Sequence, residues 1–171
     1  MFKAVSDSMQ VLYLCPTTIL SIQQYNNAVE RFSGFPVVIG LLYRFVSSSQ
    51  AKKIVDDFNN GKIDILFGTP RILSNDIKPK NLGLLVIDEE HKFGVLHKEK
   101  IKEYKNNVDV LTLTATPIPR TLQMSLIGVR SLSLIETPPK NRYPVQTYVM
   151  DQNDAIIKEI EIGRASCRER V

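Results

Sequence analysis

Five short runs of apolar and β-branched residues, at 11–15, 37–41, 63–67, 84–87 and 110–113, recur along the chain, and longer stretches separate them. In those stretches the apolar residues return at helical spacing, so the alternation has the form of repeated βαβ units. It predicts an α/β fold with a parallel sheet. Several runs are apolar without interruption, as strands covered on both faces should be. Helices are expected over residues 18–32, where Ile22, Tyr25, Val29 and Phe32 form one stripe, and over 49–59, stopped by Gly61. Shorter helices are expected over 97–104 and 120–127, with a further extended segment at 132–135.

Residues 1–135 therefore read as one domain, and an apolar share of 43% is enough to fill its core. Residues 136–144 contain Pro138, Pro139 and Pro144 among polar neighbours and read as a linker, because proline removes amide donors and disfavours helix. Residues 145–150 then read as a strand and 154–160 as the start of a helix, the beginning of a second unit. Residues 161–171 have neither apolar period nor turn logic. They resemble the translation of a common high-throughput sequencing adapter and carry no weight in the fold reading.

No run of about 18 apolar residues marks a membrane span, and the first residues lack the layout of a signal peptide, so a cytoplasmic location without membrane partners is expected. Cys15 and Cys167 fit neither a disulfide framework nor a zinc site, since the two histidines, His91 and His97, are far from both in sequence. The net charge of +4 is a mild lean toward polyanions and does not by itself announce nucleic-acid binding.

The chemistry concentrates where the fourth run ends. Leu84-Leu85-Val86-Ile87 delivers Asp88, Glu89, Glu90 and His91 at the carboxyl end of a strand, where open parallel sheets bind their ligands. Nucleotide hydrolysis needs one acid to hold magnesium and another to activate water, and Asp88 and Glu89 suit those roles. On the residues alone, an acidic loop capping the next helix is the alternative. The fifth run, expected to be another buried strand, ends in Thr114, Ala115, Thr116 and Pro117. Read alone, that is a helix cap followed by proline at a first helical position.

Together, Asp88-Glu89-Glu90-His91, Lys92-Phe93-Gly94-Val95 and Leu113-Thr114-Ala115-Thr116-Pro117-Ile118-Pro119-Arg120 resemble superfamily-two helicases. Within that group the chain is most similar to transcription-repair coupling factors, with RecG-type branch-migration helicases as near relatives, over nearly all of residues 2–160. The resemblance implies a RecA-like motor domain and a parent that uses ATP and Mg2+. It also implies double-stranded DNA as a partner, with RNA polymerase and nucleotide-excision repair proteins contacted through domains outside this chain. Asp88 would hold the magnesium, Glu89 would be the catalytic base, and Glu90 and His91 would relay the nucleotide state. Thr114, Ala115 and Thr116 would couple hydrolysis to movement.

By the same resemblance Pro16, Thr17 and Thr18 would grip the DNA backbone, with Gly68 and Thr69 as a second contact. Pro70 stands where the family commonly has histidine and weakens that contact, while Cys15 replaces a residue that is usually aliphatic. Arg44 and Phe45, before a serine run, read either as plain surface or as a loop touching a nucleic-acid strand. Lys98, Lys100, Lys102 and Lys105 alternate with Glu99 and Glu103 as a solvated, mixed-charge helix face.

A motor of this type also needs a G-x-x-x-x-G-K-[ST] phosphate loop, and the 171 residues contain none; Gly61-Lys62 leads into a strand run instead. Residues 1–8 resemble the end of the helix that follows such a loop. The chain is thus expected to begin just downstream of it, truncated before its sheet is complete, and to show no ATP turnover alone. Two other readings remain at this point: a fragment of a branch-migration helicase, and a non-catalytic module that binds DNA or a protein.

Overall fold

The computed structural model describes residues 1–115, together with positions 133 and 149. By its contacts the chain divides into two compact units, Met1–Met124 and Ser125–Val171, and the elements below belong to the first. The segments expected at 120–127, 132–135, 136–144, 145–150, 154–160 and 161–171 lie outside the described residues, apart from those two positions. Thr116 and Cys167 lie outside them as well.

Helix α1 (Phe2–Ser6) leads into strand β1 (Gln10–Leu14), helix α2 (Thr18–Phe32), β2 (Ile39–Leu42), α3 (Ser48–Asn59) and β3 (Ile65–Gly68). After one 3-10 turn at Pro70–Leu73 come β4 (Leu82–Asp88), a second 3-10 turn at Glu90–Lys92, α4 (Val95–Lys105) and β5 (Asp109–Leu113). The five strands form one parallel sheet in the order β2-β3-β1-β4-β5. The expected α/β class and parallel sheet are what the chain adopts.

Side chains alternate across a strand, so each strand feeds two cores. Leu12, Leu14, Leu66, Leu85 and Ile87 pack on one face beneath Val55 and Phe58 of α3, Ile72, and Ile101 of α4. Val11, Tyr13, Cys15, Phe67 and Val86 pack on the other, beneath Ala28 and Phe32 of α2 and partly buried Ala4 and Val5 of α1. Coverage of both faces is the physical reason that the β1 and β3 sequences are continuously apolar.

The sheet-facing side of α2 differs from the expected stripe. Ser21, Ala28 and Phe32 are buried, with Leu20 and Tyr25 packed beside them, whereas Val29 is 43% exposed. Small side chains at 21 and 28 let the helix lie close to the sheet, and that turns the larger Val29 outward. Two strand starts also move. Asp64 Oδ2 accepts the Val38 N–H at 2.7 Å, and the β2–β3 ladder then begins at Ile39 opposite Ile65, later than expected in both runs. The expectation that β5 is buried fails: among the described residues it is an edge strand, with Leu111 48% and Leu113 38% exposed.

Buried Gln10 ties the entry of the sheet to its surroundings. Its amide donates to the carbonyls of Phe58 at 2.7 Å and Ile63 at 2.9 Å, and its Oε1 accepts the Asn81 N–H at 3.2 Å. A buried amide needs such partners to offset its desolvation.

Candidate functional site

The carboxyl ends of all five strands lie along one edge of the sheet, and Asp88 is the last residue of β4, opposite Leu113 of β5. The chain turns sharply just after it. Glu89 adopts the left-handed conformation (φ 56°, ψ 54°), which costs a residue with a Cβ on the order of 1–3 kcal/mol. Bonds to the end of β5 offset that cost. The Glu89 N–H donates to the Leu113 carbonyl at 2.9 Å, and Glu89 Oε1 accepts the Ala115 N–H at 2.9 Å. On the second carboxylate oxygen, Oε2, His91 Nδ1 approaches to 3.2 Å.

Glu90 is held from a different direction. Its Oε1 lies 3.1 Å from Lys105 Nζ at the end of α4, and its Oε2 accepts the Thr112 hydroxyl at 3.2 Å. The four expected residues therefore form one loop, but each acid has its own environment. Partial burial pushes the Asp88 carboxyl above its ordinary range, and the neighbouring Glu89 charge pushes it the same way, while Lys92 pulls it down. A carboxylate in that position favours a cation beside it. Burial first, then the Asp88 charge, pushes the Cys15 thiol up to about 12, so Cys15 is an inert core residue. Tyr13 is raised by burial and then by Asp88 as well.

Next along the edge, β1 runs into Pro16, Thr17 and Thr18, and β3 runs into Gly68 and Thr69. The Cys15 N–H donates to the Gly68 carbonyl at 2.8 Å and fixes these two ends side by side. Thr17 is exposed and caps α2, accepting the Leu20 N–H on its hydroxyl at 3.3 Å; the hydroxyl proton remains free to donate elsewhere. Thr69 precedes the 3-10 turn without a side-chain capping bond. The glycine at 68 answers an internal demand, because a Cβ there would overlap the Leu42 carbonyl oxygen and the Ile72 side chain.

Lys105 and Thr112 are site residues that sequence reading missed. Lys105 sits in a mixed-charge helix face, and only the fold brings the end of α4 to Glu90. Thr112 left one signal, a hydroxyl residue inside an otherwise apolar run. Among the described residues no cluster of three or more His, Cys, Asp or Glu side chains is arranged to hold a metal ion, and no helix is long and apolar enough to cross a membrane.

The chain is 59% identical over 158 residues to the transcription-repair-coupling factor of Bacillus subtilis, covering 92% of this chain and 13% of that protein. Against the factor of the same name from Staphylococcus haemolyticus it is 58% identical, covering 92% and 14%. The chain thus spans about one seventh of the length of these relatives. A solved structure of RecG bound to a three-way DNA junction matches with TM-score 0.71 and 34% identity, over 95% of this chain and 21% of that one. The helicase MrfA shares the fold, with TM-score 0.53 at 22% identity over 74% of this chain and 23% of that one. The sheet with its flanking helices is a RecA-like helicase fold. Residues 1–125, a span that takes in every described strand and the whole acid loop, match the DEAD/DEAH box helicase family, and the chain belongs to it.

Proposed function

We propose that this chain forms part of an ATP-driven motor that moves on double-stranded DNA and displaces stalled RNA polymerase in transcription-coupled repair. The observation that carries the reading is the acid loop, with Asp88 and Glu89 at the carboxyl edge of the sheet and Glu89 bonded to the end of β5. ATP with its magnesium ion supplies the scissile phosphoryl bond and neutralises the charge that develops on it. Asp88 fits the cation, since its carboxyl is partly desolvated and crowded by a like charge. Magnesium usually keeps water and phosphate oxygens as its other ligands, so one protein carboxylate is enough.

Glu89 takes the proton of the attacking water. Both of its oxygens already have a neighbour, Ala115 N–H and His91 Nδ1, yet a carboxylate oxygen accepts more than one bond and each retains capacity. Those neighbours orient it. The bond to Ala115 also gives the Thr114-Ala115-Thr116 segment a direct hold on the acid, which suits a role in coupling hydrolysis to movement. Pro16–Thr18 and Gly68–Thr69 grip the DNA backbone through hydroxyls and main-chain amides. RNA polymerase and excision-repair proteins are partners of the larger assembly, and the setting is cytoplasmic.

The test is a segment exchange. Residues 1–160 replace the matching segment of the Bacillus subtilis factor, and DNA-stimulated ATP turnover is measured. The exchanged protein is expected to turn over ATP in response to duplex DNA, whereas the 171-residue chain alone, without a G-x-x-x-x-G-K-[ST] loop, is expected to show none. A soluble exchanged protein without DNA-stimulated turnover would overturn the proposal. A branch-migration helicase is the second reading, favoured by the likeness to RecG. Gene sequence downstream of residue 160 separates the two.

A further inference from the structure

Lys100 does not stand on the solvated face expected of it. It is half-buried, and its Nζ donates to the Leu73 carbonyl at 3.0 Å and to Asn75 Oδ1 at 2.6 Å. Both acceptors are neutral, and among the described residues Lys100 forms no ion pair. These bonds tie α4 to the loop that leaves β3 just after Thr69.

That loop is braced as one piece. The Ile72 N–H donates to the Thr69 carbonyl at 2.9 Å, and the Ile77 N–H to the Ser74 carbonyl at 3.1 Å. Arg71 and Asp76 clasp across it through two hydrogen bonds of 2.8 and 2.6 Å. Its far end is held by α3, where the Asn59 amide donates to the Asp76 carbonyl at 2.8 Å and Asn59 Oδ1 accepts the Lys78 N–H at 2.7 Å. A loop so cross-linked passes a displacement at Thr69 along its length instead of absorbing it.

α4 reaches the acid loop by its last residue. Lys105 Nζ lies 3.1 Å from Glu90 Oε1, and Glu90 directly follows Glu89 in the chain. Ile101 is the only fully buried residue of α4, with Tyr104 partly buried beside it, and Ile101 belongs to the same core cluster as Ile72 and Leu73. A helix with so little packing is positioned largely by its polar contacts. Lys100 and Lys105 supply two of them, one to each loop.

We infer that α4 is a coupling lever, and that Lys100 is the positioning residue through which DNA bound at Thr69 sets the acid loop. The inference rests on the functional reading above and adds the route by which DNA raises ATP turnover. DNA at Thr69 favours the loop position in which Leu73 and Asn75 hold Lys100, and the helix held there keeps Lys105 on Glu90. Lys100 acts through those neighbours and not on the reacting atoms.

The experiment uses the segment-exchanged Bacillus subtilis factor, with ATP turnover measured without DNA and with saturating duplex DNA. Lys100→Met keeps the length of the side chain and removes its donors. Turnover without DNA is expected to be unchanged, and the ratio of stimulated to unstimulated turnover to fall roughly 2- to 30-fold, the usual size for a residue on a coupling route. Lys100→Arg keeps a charged donor and is expected to retain most of the stimulation. Asn75→Ala removes one of the two acceptors at an exposed position, so it should leave the fold intact and lower the ratio by less than Lys100→Met does.

A ratio equal to that of the parent in both Lys100→Met and Asn75→Ala overturns the inference and leaves the motor reading standing. Equal loss of turnover with and without DNA also overturns it and makes Lys100 a structural tie. A loss in Lys100→Arg as deep as in Lys100→Met would contradict the hydrogen-bonding role. If the exchanged parent shows no response to DNA, the inference and the motor reading fall together.

Discussion

β1 and β5 have similar sequences, Val11-Leu12-Tyr13-Leu14 and Val110-Leu111-Thr112-Leu113, and each ends at a segment assigned to function, yet their surroundings are opposite. β1 has a strand on either side and every residue buried. β5 pairs with β4 alone among the described residues, and its outward-facing leucines are partly in solvent. Consequently Pro16–Thr18 stands on a rigid core, whereas the end of β5 is fixed largely by polar bonds to Glu89. The proposed grip on DNA at Pro16–Thr18 would have a firm base, and the proposed coupling segment after β5 would move at modest cost. The two strand ends differ in that sense.

The comparison can be broken by mutation, and the largest effect is expected at its buried pole. Leu12→Ala should lower unfolding free energy by about 2–5 kcal/mol in a denaturant titration, the usual range for a fully buried leucine. Leu111→Ala should cost roughly 0.5 kcal/mol or less, as surface substitutions do. Equal losses at the two positions would mean that β5 is as well packed as β1. Gly68→Ala falls between them, at about 1–3 kcal/mol, because the added methyl meets the backbone of β2 as well as the Ile72 side chain.

Much of this was legible in the sequence. The apolar runs, the acid loop after β4 and the helix beginning at Thr18 stand close to where periodicity and end signals put them. What was not legible depended on contacts between distant residues. The left-handed turn at Glu89 is tolerated because β5 lies alongside to receive its bonds, and residue 89 carries no local sign of that. Val29 falls on the helical stripe with Ile22, Tyr25 and Phe32, yet it is Ala28 that is buried against the sheet, because close approach selects the smaller residue. Gly68 reads equally well as room for a phosphate or room for a neighbouring strand, and only the Cβ direction separates these demands.

The smallest expected effect concerns pH. The Asp88 carboxyl is raised in the folded chain, so folding takes up a proton between its unfolded and folded values. Stability on this account falls as pH rises through that window, and the full penalty persists at neutral pH. Asp88→Asn should therefore raise the melting temperature slightly at pH 7, and the gain should vanish below about pH 4, where the carboxyl is protonated in both states. A melting temperature lowered by Asp88→Asn at pH 7 would contradict the sign.

The most direct test of the site is Glu89→Gln in the segment-exchanged protein, with ATP binding and ATP turnover measured separately. Glutamine keeps the size of the side chain and an oxygen for the Ala115 N–H, but it cannot take a proton from water. The account predicts ATP binding within a few-fold of the parent and turnover reduced by about 10²- to 10⁴-fold, the usual contribution of a general base. Turnover near that of the parent would show that Glu89 is not the base and would contradict the assignment of chemistry to this loop.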